Sequence, residues 1–330
     1  MINRMTRPIS LLSFGLALFL LHPATVEAKR PYYEEEREPR RFRLLRPKMD
    51  APDRQLAYAN ELREAGRRRG ARRQYRALVR YWPNTPEAAH AQYARAQLLE
   101  ERGRLFRASE EYATLLENYT GMVPHAQVLE RKFEIAETIR EQRRARFLIF
   151  PGFHAPERAI PVLESIVEHG PRWERAPDAQ LLIGQIKEDT GKLEEAIIAY
   201  DRVEFRYPRS PQVEEAAFGK ARALYQLSQE YPNHVDGAET AMHALAIFVR
   251  NHPDSEHAPE AREYMRTLYD RLARIKFEKA RYYDRIARAP KAAITSYELF
   301  LEEFPDSVYV DFAERRLETL RAKVGEKDEG

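Results

Sequence analysis

The sequence predicts an all-α protein, a right-handed superhelical solenoid of about six helical hairpins closed by a C-terminal capping helix. Three observations predict it. Punctuation recurs at Pro83, Thr120, Pro171, Pro208, Pro253 and Pro305, and an alanine stands twelve residues before every mark: Ala71, Ala108, Ala159, Ala196, Ala241 and Ala293. Eight before each mark the residue is large (Tyr75, Tyr112, Leu163, Tyr200, Leu245, Tyr297), and five before it is again apolar (Leu78, Leu115, Ile166, Val203, Phe248, Phe300). Such offsets share one helical face. A small alanine lets two helices approach, the bulky residue one turn on fills the space against the next hairpin, and proline stops the helix. No window alternates with a strand period over a useful length, so no β-structure is expected.

The N-terminus reads as a targeting segment. Arg4 and Arg7 precede an apolar run from Ile9 to Leu21, and Val26-Glu27-Ala28 supplies a small-residue cleavage pattern, so residues 1–28 are expected to be a signal peptide. The run is shorter than the ~20 residues a membrane-spanning helix needs. Residues 29–50 are rich in Arg and Pro without helical periodicity and are expected to form a flexible leader. Residues 51–235 should hold four hairpins and the first helix of a fifth; residues 236–325 the remaining repeats and the capping helix, from Val308 to Lys323; residues 326–330 a disordered tail.

Three hairpins also show their first helix in phase, with a small residue (Ala59, Ala96, Gly184) and then a turn glycine (Gly66, Gly103, Gly191) before the alanine. Ile183-Gly184, Gly191, Ala196, Tyr200 and Pro208 resemble the tetratricopeptide repeat. Helix restarts are signalled at Thr85-Pro86-Glu87, Asp178, Ser210-Pro211 and Ser255. Two units depart from this phase. In the third, Phe147, Leu148, Ile149, Phe150 and Phe153 surround Pro151-Gly152 in an apolar loop, expected either to plug the solenoid's inner groove or to dock a partner. In the last, Pro259 to Ala287 carries Tyr264, Leu268, Leu272, Ile275, Ala280 and Tyr283 at helical spacing, predicting one long helix.

From Gly237 to Ser307, including Asp270-Arg271-Leu272-Ala273 and the pair Tyr282-Tyr283, the chain resembles the end of the outer-membrane assembly lipoprotein BamD family. The earlier hairpins are similar in a generic way to the Tol-Pal coordinator YbgF. The first resemblance implies a periplasmic scaffold that binds BamA-like periplasmic domains and extended outer-membrane protein segments, with Tyr282 and Tyr283 as candidate contacts. It implies no chemistry. Two departures stand out: the chain has no cysteine for a lipid anchor, and Thr295-Ser296 occupies the place where many family members read Asn-Arg.

Catalytic signals are missing from the sequence. No phosphate-binding glycine loop, nucleophile elbow or zinc-helix pattern occurs, and no cofactor or metal is expected. His252 and His257 read as solvated surface, and Glu194-Glu195, Glu214-Glu215 and Glu302-Glu303 are adjacent, so each pair points to different sides of a helix. A hydrolase with an unrecognised site is the remote alternative. The strongest electrostatic feature is Arg63, Arg67, Arg68, Arg69, Arg72, Arg73 and Arg76, with Glu64 the one acid inside the run. Either it is a solvated helix surface, or it meets anionic lipid headgroups or an acidic partner. Net charge is +3, from 55 basic and 52 acidic residues, and nucleic acid is not an expected partner of an exported chain. The expected function is a non-enzymatic scaffold of the bacterial envelope, periplasmic or peripheral to the outer membrane, with a YbgF-like coordinator as the alternative. The sequence leaves its oligomeric state open.

Overall fold

The computed structural model describes residues 46–147 and 150–328, all within one compact unit. The expected signal peptide and most of the leader lie outside the described residues. Six helical hairpins follow in order: α1 (Pro52–Glu64) with α2 (Arg68–Tyr81), α3 (Pro86–Glu100) with α4 (Leu105–Asn118), and α5 (His125–Glu141) with α6 (Ile160–His169). Next come α7 (Ala176–Asp189) with α8 (Leu193–Arg206), α9 (Gln212–Glu230) with α10 (Val235–Asn251), and α11 (Ala258–Arg281) with α12 (Pro290–Glu303); α13 (Val310–Asp328) closes the array. The protein is a helical-repeat solenoid.

The repeated pattern has a direct structural meaning. Each of the six marks stands two residues beyond the end of its hairpin's second helix. The residue between, from Trp82 to Phe304, has φ between −133° and −129° and donates its N–H to the carbonyl four residues back. That exit ends the helix and turns the chain toward the next hairpin. The six alanines and the six bulky residues that follow them are completely buried. Between the two helices, Gly66, Gly103 and Gly191 take φ of +72°, +66° and +75°, a left-handed conformation that any side chain would strain.

A second in-phase signal ties each hairpin together. Gln55, Gln92 and Gln180 are buried on the first helices, and each donates its amide to a backbone carbonyl nineteen residues on, of Gln74, Glu111 and Ala199 respectively. A buried amide costs free energy unless satisfied, so these bonds fix the register of the two helices. The apolar core forms two large clusters, one from α1 to α8 and one from α9 to α13, with a small cluster of Ala196, Tyr200, Val203 and Ala216 between them.

Four expectations need correction. The apolar insertion includes a β-hairpin, β1 (Arg143–Phe147) and β2 (Phe150–His154), paired antiparallel with Phe147 opposite Phe150 and Arg143 opposite His154. Its strands are only five residues each, too short for alternation to register. A short 3-10 turn, Pro156–Ala159, then leads into α6, so Ala159 ends that turn rather than lying inside an α-helix. The capping helix starts at Val310, after Val308, and runs to Asp328, into the expected tail. Thr85 caps α3 by accepting from Ala88 N (3.2 Å), but Ser210 and Ser255 stand before the turns that precede α9 and α11 and are not their N-caps.

Candidate functional site: two outer grooves

First helices of neighbouring hairpins pack on one another, α1 with α3, α7 with α9 and α9 with α11. Among the described residues, recesses open between second helices over the intervening first helix in two places. Between α8 and α10 lies a groove of about 450 Å3, floored by Val213, Ala217 and Leu224 of α9 and walled by Pro208 and Ile247. A neighbouring recess of about 320 Å3, shared through Leu224 and Thr240, continues it toward Leu227 and Tyr231. Elsewhere on α8, Phe205 is 87% exposed. Between α2 and α4 lies the second groove, about 530 Å3, over Arg95 and Leu99 of α3; its walls are arginine-rich.

The joint at the first groove is polar and fully occupied. Tyr200 Oη donates to Glu188 Oε2 (2.7 Å), and Arg222 of the next hairpin reaches the same carboxylate through Nε (2.6 Å) and Nη2 (3.0 Å). Glu188 is 6% exposed, so a lone carboxylate there would be costly; the bidentate guanidinium compensates it. Burial and the hydrogen bond to Glu188 hold the Tyr200 phenol above its ordinary pKa, while the same carboxylate pushes the Arg222 pKa upward. The second and third hairpins repeat the device with Glu100, Tyr112 and Arg131.

Of the sequence candidates, Tyr282 and Tyr283 lie on a single π-helical turn, Tyr282–Ile286, that extends α11. Tyr282 is 51% exposed, whereas Tyr283 packs against the core. Such turns reorient side chains. Here the turn carries Asp284, whose side chain is 1% exposed, into a bidentate pair with Arg316 of α13 at 2.8 and 2.7 Å. That hydrogen-bonded guanidinium holds the carboxyl below its usual range. Phe147, Phe150 and Phe153 belong to the β-hairpin strands, and Leu148 and Ile149 lie outside the described residues. Arg67, Arg69, Arg72 and Arg73 are exposed, and Arg68 pairs with Glu101 at 3.3 Å.

Several roles escaped sequence reasoning. Arg271 is buried and donates to Ser228 O (2.9 Å) and Ser228 Oγ (2.9 Å), so a cation satisfies a carbonyl in the last turn of α9. His252 and His257 are not solvated surface: they stack on Phe248 and Phe218 and pair with Glu214 (3.7 Å) and Glu215 (2.9 Å). The two adjacent glutamates of α9 therefore each hold one histidine of the next turn. Lys132 is wholly buried, donates to Ser165 Oγ, and burial pushes its pKa down to about 8. Ser165 in turn contacts His169 Nδ1 (3.3 Å), whose Nε2 meets Glu117 (3.1 Å). Among the described residues no cluster of His, Cys, Asp and Glu could hold a metal ion, and no helix is long and apolar enough to cross a membrane.

The outer membrane lipoprotein family YfiO matches residues 155–329, more than half of the chain. The chain belongs to that family. A tetratricopeptide-repeat family also matches residues 56–123, the first two hairpins. The YfiO match thus covers the hairpin exit into α6, the groove over α9, the Arg271 cap and the Asp284–Arg316 pair. Tetratricopeptide arrays and the YfiO family are protein-interaction scaffolds, and the chain is a protein-binding repeat scaffold. The sequence contains no cysteine. No curated protein matches the chain.

Similar solved structures are repeat proteins. MamA (from residue 41) of Desulfovibrio magneticus is 17% identical over 63% of this chain and 98% of its own, with a TM-score of 0.28. A tetratricopeptide-repeat protein of Parabacteroides merdae is 14% identical over 82% of this chain and 98% of its own, TM-score 0.29. The C-terminal part of a repeat protein of Cytophaga hutchinsonii is 15% identical over 81% and 88%, TM-score 0.31.

Proposed function

We propose that this chain is a BamD-like scaffold of outer-membrane protein assembly, in which the groove over α9 receives a segment of a partner protein, an extended outer-membrane strand or a BamA-like periplasmic domain. The observation that carries the reading is the open groove between α8 and α10 with its apolar floor, inside the family-matched half. Its apolar floor offers side-chain pockets, and an extended or helical segment laid there would bury surface that the protein otherwise leaves to water. The polar joint of Tyr200, Glu188 and Arg222 holds α7, α8 and α9 together, which fixes the floor and one wall of the groove. The β-hairpin with Phe147, Phe150 and Phe153 and the exposed Tyr282 are proposed as additional contacts, outside this groove.

A photo-crosslinking residue at Ala217 tests the reading in envelope preparations. Barrel-assembly components or nascent outer-membrane proteins are expected in the adducts, and adding Val213→Trp, which fills the groove beside the probe, should remove them without lowering the melting temperature. Adducts confined to peptidoglycan-associated proteins would overturn it in favour of a YbgF-like coordinator.

A further inference from the structure

Arg69, Arg72, Arg73 and Arg76 line one wall of the groove between α2 and α4, at spacings that share a helical face. The fold sets Arg95 of α3 and Arg107 of α4 against them around the same recess of about 530 Å3. An adjoining recess of about 380 Å3, lined by Arg67, Arg68, Arg69 and Arg102, extends the basic strip toward the start of α2. Among the described residues, Arg69, Arg72, Arg73, Arg76 and Arg107 have no ion-pair partner. Two acids line the recess, and one of them, Glu111, is already held by Arg95 Nη2 (2.6 Å) and Gln92 Nε2 (2.6 Å). Positive charge is therefore concentrated there, six guanidinium groups facing two carboxylates. The cost is visible at Arg95, where burial lowers the pKa, Glu111 opposes that effect, and nearby Arg76 and Arg72 add to it.

We propose that this outer groove of the first two hairpins is a docking track for an extended, Asp/Glu-rich segment of a partner protein. The inference rests on the reading of the chain as a protein-binding scaffold. A guanidinium presents a planar fork that pairs bidentately with carboxylates. Arg69 to Arg76 spans about 10 Å along the helix, and three or four residues of an extended chain cover that distance at ~3.3 Å each. The charge runs in line along α2 through two adjoining recesses rather than converging on one point, which fits a linear polyanion better than a single phosphate. A flat bilayer surface fits less well, because Arg95, 16% exposed, lies on the floor between two helices.

The test is fluorescence anisotropy of the full chain with a fluorescein-labelled octaglutamate peptide at low salt, beside phosphatidylglycerol vesicles. Saturable peptide binding is expected, weakened by added salt because exposed charge pairs are screened. Arg72→Gln with Arg76→Gln should weaken it about tenfold, while the exposed control pair Arg202→Gln with Arg209→Gln changes it less than about twofold. Both pairs are exposed, so thermal melts should be unchanged. The proposal is overturned by no saturable peptide binding, by equal losses in the two double variants, or by loss of vesicle adhesion with peptide binding intact, which would make the groove a lipid-headgroup site. Crosslinking at Ala217 reads the other groove, so either reading can fail alone.

Discussion

The ring of Tyr200 occupies the space that a side chain on Gly184 would need: a Cβ built there falls 2.5 Å from Tyr200 Cε1. The same ring meets Gly219 of the next hairpin, where a Cβ would fall 2.6 Å from Cζ. Both glycines lie inside helices, where Gly→Ala ordinarily gains about 1 kcal/mol. Here the sign should reverse. Gly184→Ala and Gly219→Ala are each expected to lose about 1–3 kcal/mol in urea unfolding, because the enclosed ring has to shift. A gain from either would mean that the ring can move freely.

Ala196 is completely buried in the same small cluster as that ring. Ala196→Trp is expected to open the array at the junction of the fourth and fifth hairpins, with loss of cooperative thermal melting, since overpacking of this size exceeds what a closed core absorbs. An unchanged melt would refute the assigned role of the six alanines.

Lys132 gives a pH-dependent prediction. Its folded pKa of about 8 lies below the ordinary lysine value, so the unfolded chain binds more protons between about pH 8 and 10.5, and this group's contribution to stability rises with pH across that window. Below it the cost of the buried cation is fully present, on the order of 3 kcal/mol. Lys132→Met should therefore stabilise the protein at pH 7, with an advantage that shrinks by pH 10; denaturant midpoints at the two values measure it. A constant difference would place the lysine in contact with water.

Asp284 titrates in the opposite sense. Its folded pKa is depressed by Arg316, so its stabilising contribution is present above the ordinary carboxyl range and is lost as pH falls through the lowered folded value. Arg316→Met strands an almost wholly buried carboxylate and should cost about 2–3 kcal/mol at pH 7, less than for a fully enclosed pair because Arg316 is 29% exposed. The variant should also lose this acid-side dependence. Urea unfolding at pH 3 and pH 7 separates the two effects.

Much of this protein was legible because each repeat solves the same local problem. A helix must stop, turn and bury a stripe within a fixed number of residues, so six marks, six alanines and six bulky residues recur at constant offsets, and every one of those alanines is enclosed. The basic run on α2 was also legible, since like charges crowd one stretch of chain. The β-hairpin was not: its strands are too short for a period to register. Nor were the in-phase glutamines Gln55, Gln92 and Gln180, whose role depends on a carbonyl nineteen residues away.

The sequence by itself determined that this chain is a helical array with its close contacts at alanine, because helical periodicity and helix termination act over a few residues. Only the tertiary structure decided where that array is open. Whether Val213, Ala217 and Leu224 are core or groove floor depends on the separation of α8 and α10, and whether the arginines of α2 form a surface or a recess depends on Arg95 and Arg107 arriving from other helices. Those are properties of how neighbouring hairpins pack, set by contacts such as that between Tyr200, Gly184 and Gly219, which lie far apart along the chain.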